Sequence, residues 1–239
     1  MIEGILLEGL IYGIMALGVF ITFRVLNFPD LTVDGSFPLG AAIMASMVTA
    51  GVNPWVAIAV AFLGGLLAGA VTALIHNKLN VPNLLAGILT MTMLYSVNIR
   101  VLGNRANLPL IRVETILSSV TERFQGLFSE EQAMLLFFGV VVAIVVFLLA
   151  LFFRTDLGMT MGAMGNNEQM VITQGVNPEY LKIIGVGLSN AIVAVSGAFA
   201  AQYLGFADVN MGQGIIIAGL ASVMIGEFFI KSSRISLLL

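Results

Sequence analysis

Long apolar runs govern what this chain can fold into. Roughly Ile2 to Phe23, Phe37 to Ala50, Pro54 to Ile75, Leu84 to Leu102, Gln132 to Phe153, Leu181 to Leu204 and Gly214 to Ile230 are rich in aliphatic residues and poor in charge. A bilayer core needs about 20 mostly apolar residues per helix. The chain is therefore expected to be all-α, a polytopic transmembrane helical bundle of about seven hydrophobic segments. The second segment is short for a span and follows a polar, proline-containing stretch, so it is expected to be a half-helix or a broken helix. The residue balance agrees: 59% hydrophobic, 10% charged and a mean hydropathy of +1.05 exclude a soluble fold.

Other classes fall away in turn. No cysteine is present, which removes disulfides, thiolate metal sites and a cysteine nucleophile. The ten basic residues are scattered, so nothing points to nucleic acid. The first apolar run carries Glu3 and Glu8 instead of a basic start and lacks a small-x-small cleavage site, so it is expected to be a retained helix.

Helix ends are written into the sequence. Asn53-Pro54 and Asn177-Pro178 each set a capping side chain before a proline suited to the first helical position. Ser129 with Gln132 resembles a capping box. Orientation follows from the distribution of Lys and Arg. With the amino terminus outside, Arg24, Lys78, Arg154, Lys182, Lys231 and Arg234 are cytoplasmic, leaving Arg100, Arg105, Arg112 and Arg123 outside. Those four lie in or beside a long external loop, 103–131, where Glu114, Glu122, Glu130 and Glu131 balance them. One domain spans 1–239, with a cytoplasmic loop at 154–182.

Two polar segments are candidates for function. The first, Asn27 to Pro38, holds Asp30 and Asp34 between two apolar runs, and carboxylates near lipid need water or a partner. It reads either as a helix break beside a translocation pathway or as a tight turn in which Asp34 caps the next helix. The second, Arg154 to Leu181, contains a short helix from Glu168 to Gln174, capped by Asn167 and ended by Gly175. Two turns do not hold in water alone, so this helix needs either a docked partner or its own protein to pack on. Asn98, Ser189 and Asn190 are polar at membrane depth, with Thr90, Thr92 and Ser96 on the same span as Asn98; they bond between helices or line a polar path. Small residues four apart (Gly65 and Gly69; Gly185 and Ser189; Ala218, Ser222 and Gly226) predict close-packing faces. The lone histidine, His76, reads as an interfacial residue. No GxxxxGK[ST] loop, no chain of intramembrane acids and no pair of inverted halves is seen, so any energy comes from elsewhere. No cofactor is called for.

The run Leu157 to Glu227, with its Gly-Asn-Asn-Glu, its Gly-Val-Asn before a long helix, its Ser-Gly-Ala-Phe-Ala-Ala and its final glycine-rich segment, resembles permeases of binding-protein-dependent ABC importers in the branched-chain amino acid and ribose family. LNFPDLTVDGSFPLGA, VNPW and VPNLLAGILTMTMLYSVNIR are similar to the subgroup known as tryptophan and tyrosine permeases. The resemblance implies a permease of the cell membrane that is not itself an enzyme. Implied partners are a separate ATP-binding subunit, a second permease copy, an extracytoplasmic substrate-binding protein and the lipid bilayer. Met164 to Gln174 is then the coupling helix, with Met164, Gly165, Asn166, Asn167, Glu168 and Gln169 meeting the ATPase. Asn27, Asp30, Asp34, Asn98 and Asn190 are the pathway candidates. An aromatic amino acid is the implied substrate, and a secondary transporter or channel acting alone is the competing reading. Family members continue past the segment matching Val223 to Glu227 with further hydrophobic helices, whereas ISLLL at 235–239 only opens such a span. The chain is thus either incomplete or a shortened member.

Overall fold

A computed structural model describes residues 2–111, 113–124 and 129–229; Arg112, Ile230, Lys231, Arg234 and the ISLLL run lie outside them. The apolar runs are helices. In chain order they are α1 (Ile2–Phe20), a π-helical turn (Ile21–Val25), α2 (Val33–Thr49), α3 (Pro54–Leu79), α4 (Asn83–Val101), α5 (Ile116–Phe124), α6 (Glu130–Phe152), α7 (Asp156–Asn166), α8 (Glu168–Thr173), α9 (Pro178–Leu204) and α10 (Ile215–Phe229). Five of these segments are long and apolar enough to cross a membrane, and α2 and α10 are shorter apolar helices. Two three-residue strands, β1 (Asn107–Pro109) and β2 (Phe206–Asp208), pair antiparallel and are a minor departure from the all-α expectation.

The caps sit where the sequence puts them. Asn53 Oδ1 accepts from Trp55 N at 2.9 Å and Asn177 Oδ1 from Glu179 N at 2.9 Å, each ahead of a proline in the first turn. Ser129 and Gln132 exchange the reciprocal bonds of a capping box at the start of α6. The second span begins earlier than hydropathy suggests, at Val33 rather than Phe37, because Asp34, Gly35 and Ser36 are held in the helix by tertiary bonds that a hydropathy window does not register.

Helix α9 is the axis of the bundle, and its face of small residues lets α1, α2 and α3 approach closely. A Cβ at Gly65 or Gly69 would run into the Asn190 or Val186 carbonyl of α9. One at Gly40 of α2 would overlap the Ala194 carbonyl. Ser189 Oγ donates to Gly18 O at 2.7 Å and Ser196 Oγ to Ile11 O at 2.7 Å, which fixes α1 antiparallel to α9. The third small-residue face is a correction: Ala218, Ser222 and Gly226 are exposed, and Gly219 is the residue that packs, against Met15 and Val19 of α1. Residues four apart mark a face but do not say whether a neighbour exists within the chain.

These directions place Arg24, Lys78, Arg154 and Lys182 at one end of the bundle, together with α7 and α8. The α2–α3 turn, the β-ribbon, α5, Arg100, Arg105 and Arg123 occupy the opposite end.

Candidate functional site

The chain breaks between α1 and α2. The π turn ends α1 with Leu26 N bonded to Ile21 O and Phe28 N to Thr22 O, and Asn27 then turns left-handed at φ +50°. Asn tolerates that conformation better than most residues. Asn27 itself is exposed and lies apart from the polar groups that follow.

Asp30 sits just past the break with no exposed surface. Its Oδ1 accepts from Thr32 N at 2.8 Å and its Oδ2 from Asn190 Nδ2 at 2.7 Å. Asn190 in turn donates to Val186 O and accepts from Ser36 Oγ at 2.7 Å, while the Thr32 and Thr72 hydroxyls bond at 2.7 Å. Through this network Asp30 and Asn190 tie α2, α3 and α9 together.

Asp34 does something different, one turn on. Its Oδ2 accepts from Gly214 N and its Oδ1 from Ile216 N, both at 3.0 Å. It caps a helix, as the turn reading proposed, but that helix is α10 and not its own. A pair of carboxyl oxygens at a helix N-terminus satisfies donors that have no partner within the helix. The segment returning from β2 to Gly214 can come this close for two reasons. Pro38 has no N–H to give to the Asp34 carbonyl one turn back, and Gly212 bears on that carbonyl, where a Cβ would collide.

Beside Asp34 lies a cavity of about 350 Å³ between the start of α2, the α4 face of Met91, Thr92, Tyr95 and Asn98, and the returning segment at Val209 and Gln213. Asn98 is only 1% exposed; its Nδ2 donates to Gly35 O at 3.1 Å, and its Oδ1 has no partner among the described residues. Since Gly35 O can only accept, the amide nitrogen must face it, and the orphan is the oxygen. Of the five pathway candidates, the structure brings Asp34 and Asn98 to this cavity, keeps Asp30 and Asn190 out of its lining and leaves Asn27 on the surface. Tyr95 and Gln213 were missed; the Met-Gly-Gln-Gly run at 211–214 was the available signal, since it marks backbone that must turn tightly.

At the basic end, α7 and α8 form a corner. Met164, Gly165 and Asn166 close α7, Asn167 turns, and Glu168 and Gln169 open α8; the single helix from Met164 expected from the resemblance is thus two helices. Asn167 Oδ1 accepts from Met170 N at 3.2 Å, a local bond that stops α7 and starts α8 at one residue. Val171 is buried beneath α8, whereas Met170, Ile172 and Met159 are about half exposed, an apolar set on a part of the molecule beyond the spans. Gly165 presses on the Val25 carbonyl at the end of the π turn, so the corner touches the break directly. Among the described residues no group of His, Asp or Glu could hold a metal ion.

Residues 1–236 match the family model described as "Branched-chain amino acid transport system / permease component". The chain is 43% identical over 230 residues to the tyrosine transport system permease protein of Clostridioides difficile (strain R20291), covering 96% of this chain and 74% of that one. It is 29% identical over 224 residues to the ribose import permease protein RbsC of Escherichia coli (strain K12), covering 93% and 67%. It is 24% identical over 221 residues to the autoinducer 2 import system permease protein LsrC of Escherichia coli O9:H4 (strain HS), covering 89% and 59%. No solved structure matches it significantly. With its spans, its short second helix and the likeness running through nearly all its length, the chain belongs to the branched-chain amino acid transport permease family, as a multi-pass cell-membrane permease component of an ABC-type transport system and not an enzyme.

Proposed function

We propose that this chain forms half of the translocation path of an importer driven by a separate ATP-binding subunit. In this reading residues 1–239 are one permease domain, paired with a second copy, with loop 154–182 in the cytoplasm and loop 103–131 facing an extracytoplasmic binding protein. The observation that carries it is the α7–α8 corner. Its outer side offers Met159, Met170 and Ile172 to a partner, while Gly165 on its inner side bears on Val25 and Leu26 where the break between α1 and α2 begins. A push on the corner therefore reaches the break through backbone. The clustering of Arg24, Lys78, Arg154 and Lys182 at that end supports its cytoplasmic placement. The name of the Clostridioides relative supports tyrosine, or another aromatic amino acid, as substrate.

Co-purification with the ATP-binding subunit, followed by tyrosine uptake in reconstituted vesicles, tests the reading. Replacing Glu168 and Gln169 by Ala leaves insertion intact and uncouples ATP hydrolysis from uptake; normal uptake by the double variant removes the corner from the coupling. Uptake by the permease without any ATPase would instead favour a secondary transporter. A cysteine at Asn107, in a chain without native cysteine, is labelled by an impermeant maleimide from outside, and labelling from the cytoplasm alone reverses the topology.

A further inference from the structure

One side chain at the basic end, His76, belongs to none of the sites above yet gathers residues from several of them. His76, in the last turn of α3, is the chain's single histidine. Its Nδ1 lies 2.8 Å from Val81 O in the α3–α4 turn, its Nε2 lies 3.5 Å from Lys182 Nζ on α9, and its ring meets Phe28 edge-on at 5.3 Å between centroids. Lys182 Nζ also donates to Glu168 Oε1 on α8 at 2.8 Å. Phe28 is buried in the break between α1 and α2. One imidazole thus touches the break, the end of α3 and the lysine that holds α8.

The chemistry fixes its proton. A carbonyl only accepts, so Nδ1 must carry hydrogen to bond Val81 O, and in the neutral ring Nε2 is then a bare acceptor. A bare nitrogen can take a hydrogen bond from the Lys182 ammonium; a protonated one would set a second cation against it. Among the described residues, His76 meets Lys182 of α9 directly and Glu168 of α8 through it, while Lys78 on its own helix pairs with Glu179 of α9 at 3.7 Å. From the break it meets the Phe28 ring, and from the turn the Val81 carbonyl.

We propose that His76 is a positioning residue for the coupling corner: it aims Lys182 at Glu168, so that α8 is seated on α9 while the ring rests against Phe28. The inference rests on the coupling reading for its consequence in transport, but the relay itself is a property of the permease alone and can be read without the ATPase.

The experiment places a single cysteine at Val171, the buried residue under α8, and follows its rate of maleimide labelling in the full-length permease in lipid nanodiscs. His76→Ala labels about tenfold faster, the factor that losing one charge-assisted hydrogen bond produces. His76→Gln labels at the parent rate, because its amide nitrogen can still donate to Val81 O while its oxygen accepts from Lys182. The proposal is overturned if His76→Ala labels as slowly as the parent, or if His76→Gln behaves like His76→Ala. In vesicles with the ATP-binding subunit, His76→Ala lowers tyrosine uptake per ATP hydrolysed and His76→Gln does not. Failure of the subunit to bind even the parent permease overturns the coupling reading, and the labelling series still decides the relay.

Discussion

Asp30 has no exposed surface and uses both oxygens on Thr32 and Asn190, whereas Asp34, four residues later, stays partly exposed at a cavity and uses its oxygens on the first turn of a helix from the far end of the chain. Both are acids beside a helix break in an apolar protein, so composition cannot tell them apart. The partners differ. Those of Asp30 come from Thr32, just ahead of α2, and from α9, and those of Asp34 come from a backbone segment that returns to meet it. The first carboxyl is a fastening, and the second is a joint between two short helices.

The largest expected effect is on the fastening. Asp30→Ala leaves the Thr32 N–H and one Asn190 hydrogen without an acceptor in a sealed site, at about 1–3 kcal/mol for each. Thermal unfolding in detergent should show the greatest loss of stability of the variants discussed. A melting temperature equal to that of the parent would mean that water reaches the site, and the contrast with Asp34 would collapse.

Asp34→Asn is the next step down. Asn caps its own helix about as well as Asp, but here two N–H groups need two acceptor oxygens, and an amide offers one and turns its NH2 toward the other donor. The cost is about 1 kcal/mol, within reach of the fold, so the variant inserts and binds the ATP-binding subunit while tyrosine uptake falls. Parent-level uptake would leave Asp34 as a cap with no part in the path.

Asn98→Leu sharpens the contrast most finely. It removes one bond to Gly35 O and also removes a buried oxygen that had no partner, so the two changes offset and stability moves by no more than about 1 kcal/mol. A fall in uptake with that small a shift assigns Asn98 to the cavity, and unchanged uptake returns it to packing.

Much of this was legible in the sequence because it is local. Asn53, Ser129, Asn167 and Asn177 cap helices within three residues of themselves, and hydropathy finds α3, α4, α6 and α9 because lipid selects on side-chain type alone. What was hidden depends on residues far apart. Nothing near Asp34 names Gly214 and Ile216 as its partners, so a cap for α10 looked like a cap for α2. Asp30 looked like a lining residue because its seal is built from Thr72 and Asn190, on two other helices. His76 read as an interfacial residue because Lys182, Glu168 and Phe28 approach it only in the folded bundle.

The reach of Asp34 also sets an order of events during biosynthesis. Gly214 follows it by 180 residues, and at about 5–20 residues per second its carboxylate waits roughly ten to forty seconds for the donors it will hold. Until the ribosome delivers that stretch, α2 has a free acid at its head. A nascent chain halted before residue 214 should therefore be the form that quality-control proteases recognise, and arrest at successive lengths, read by protease resistance, would show protection arriving once Ile216 has emerged.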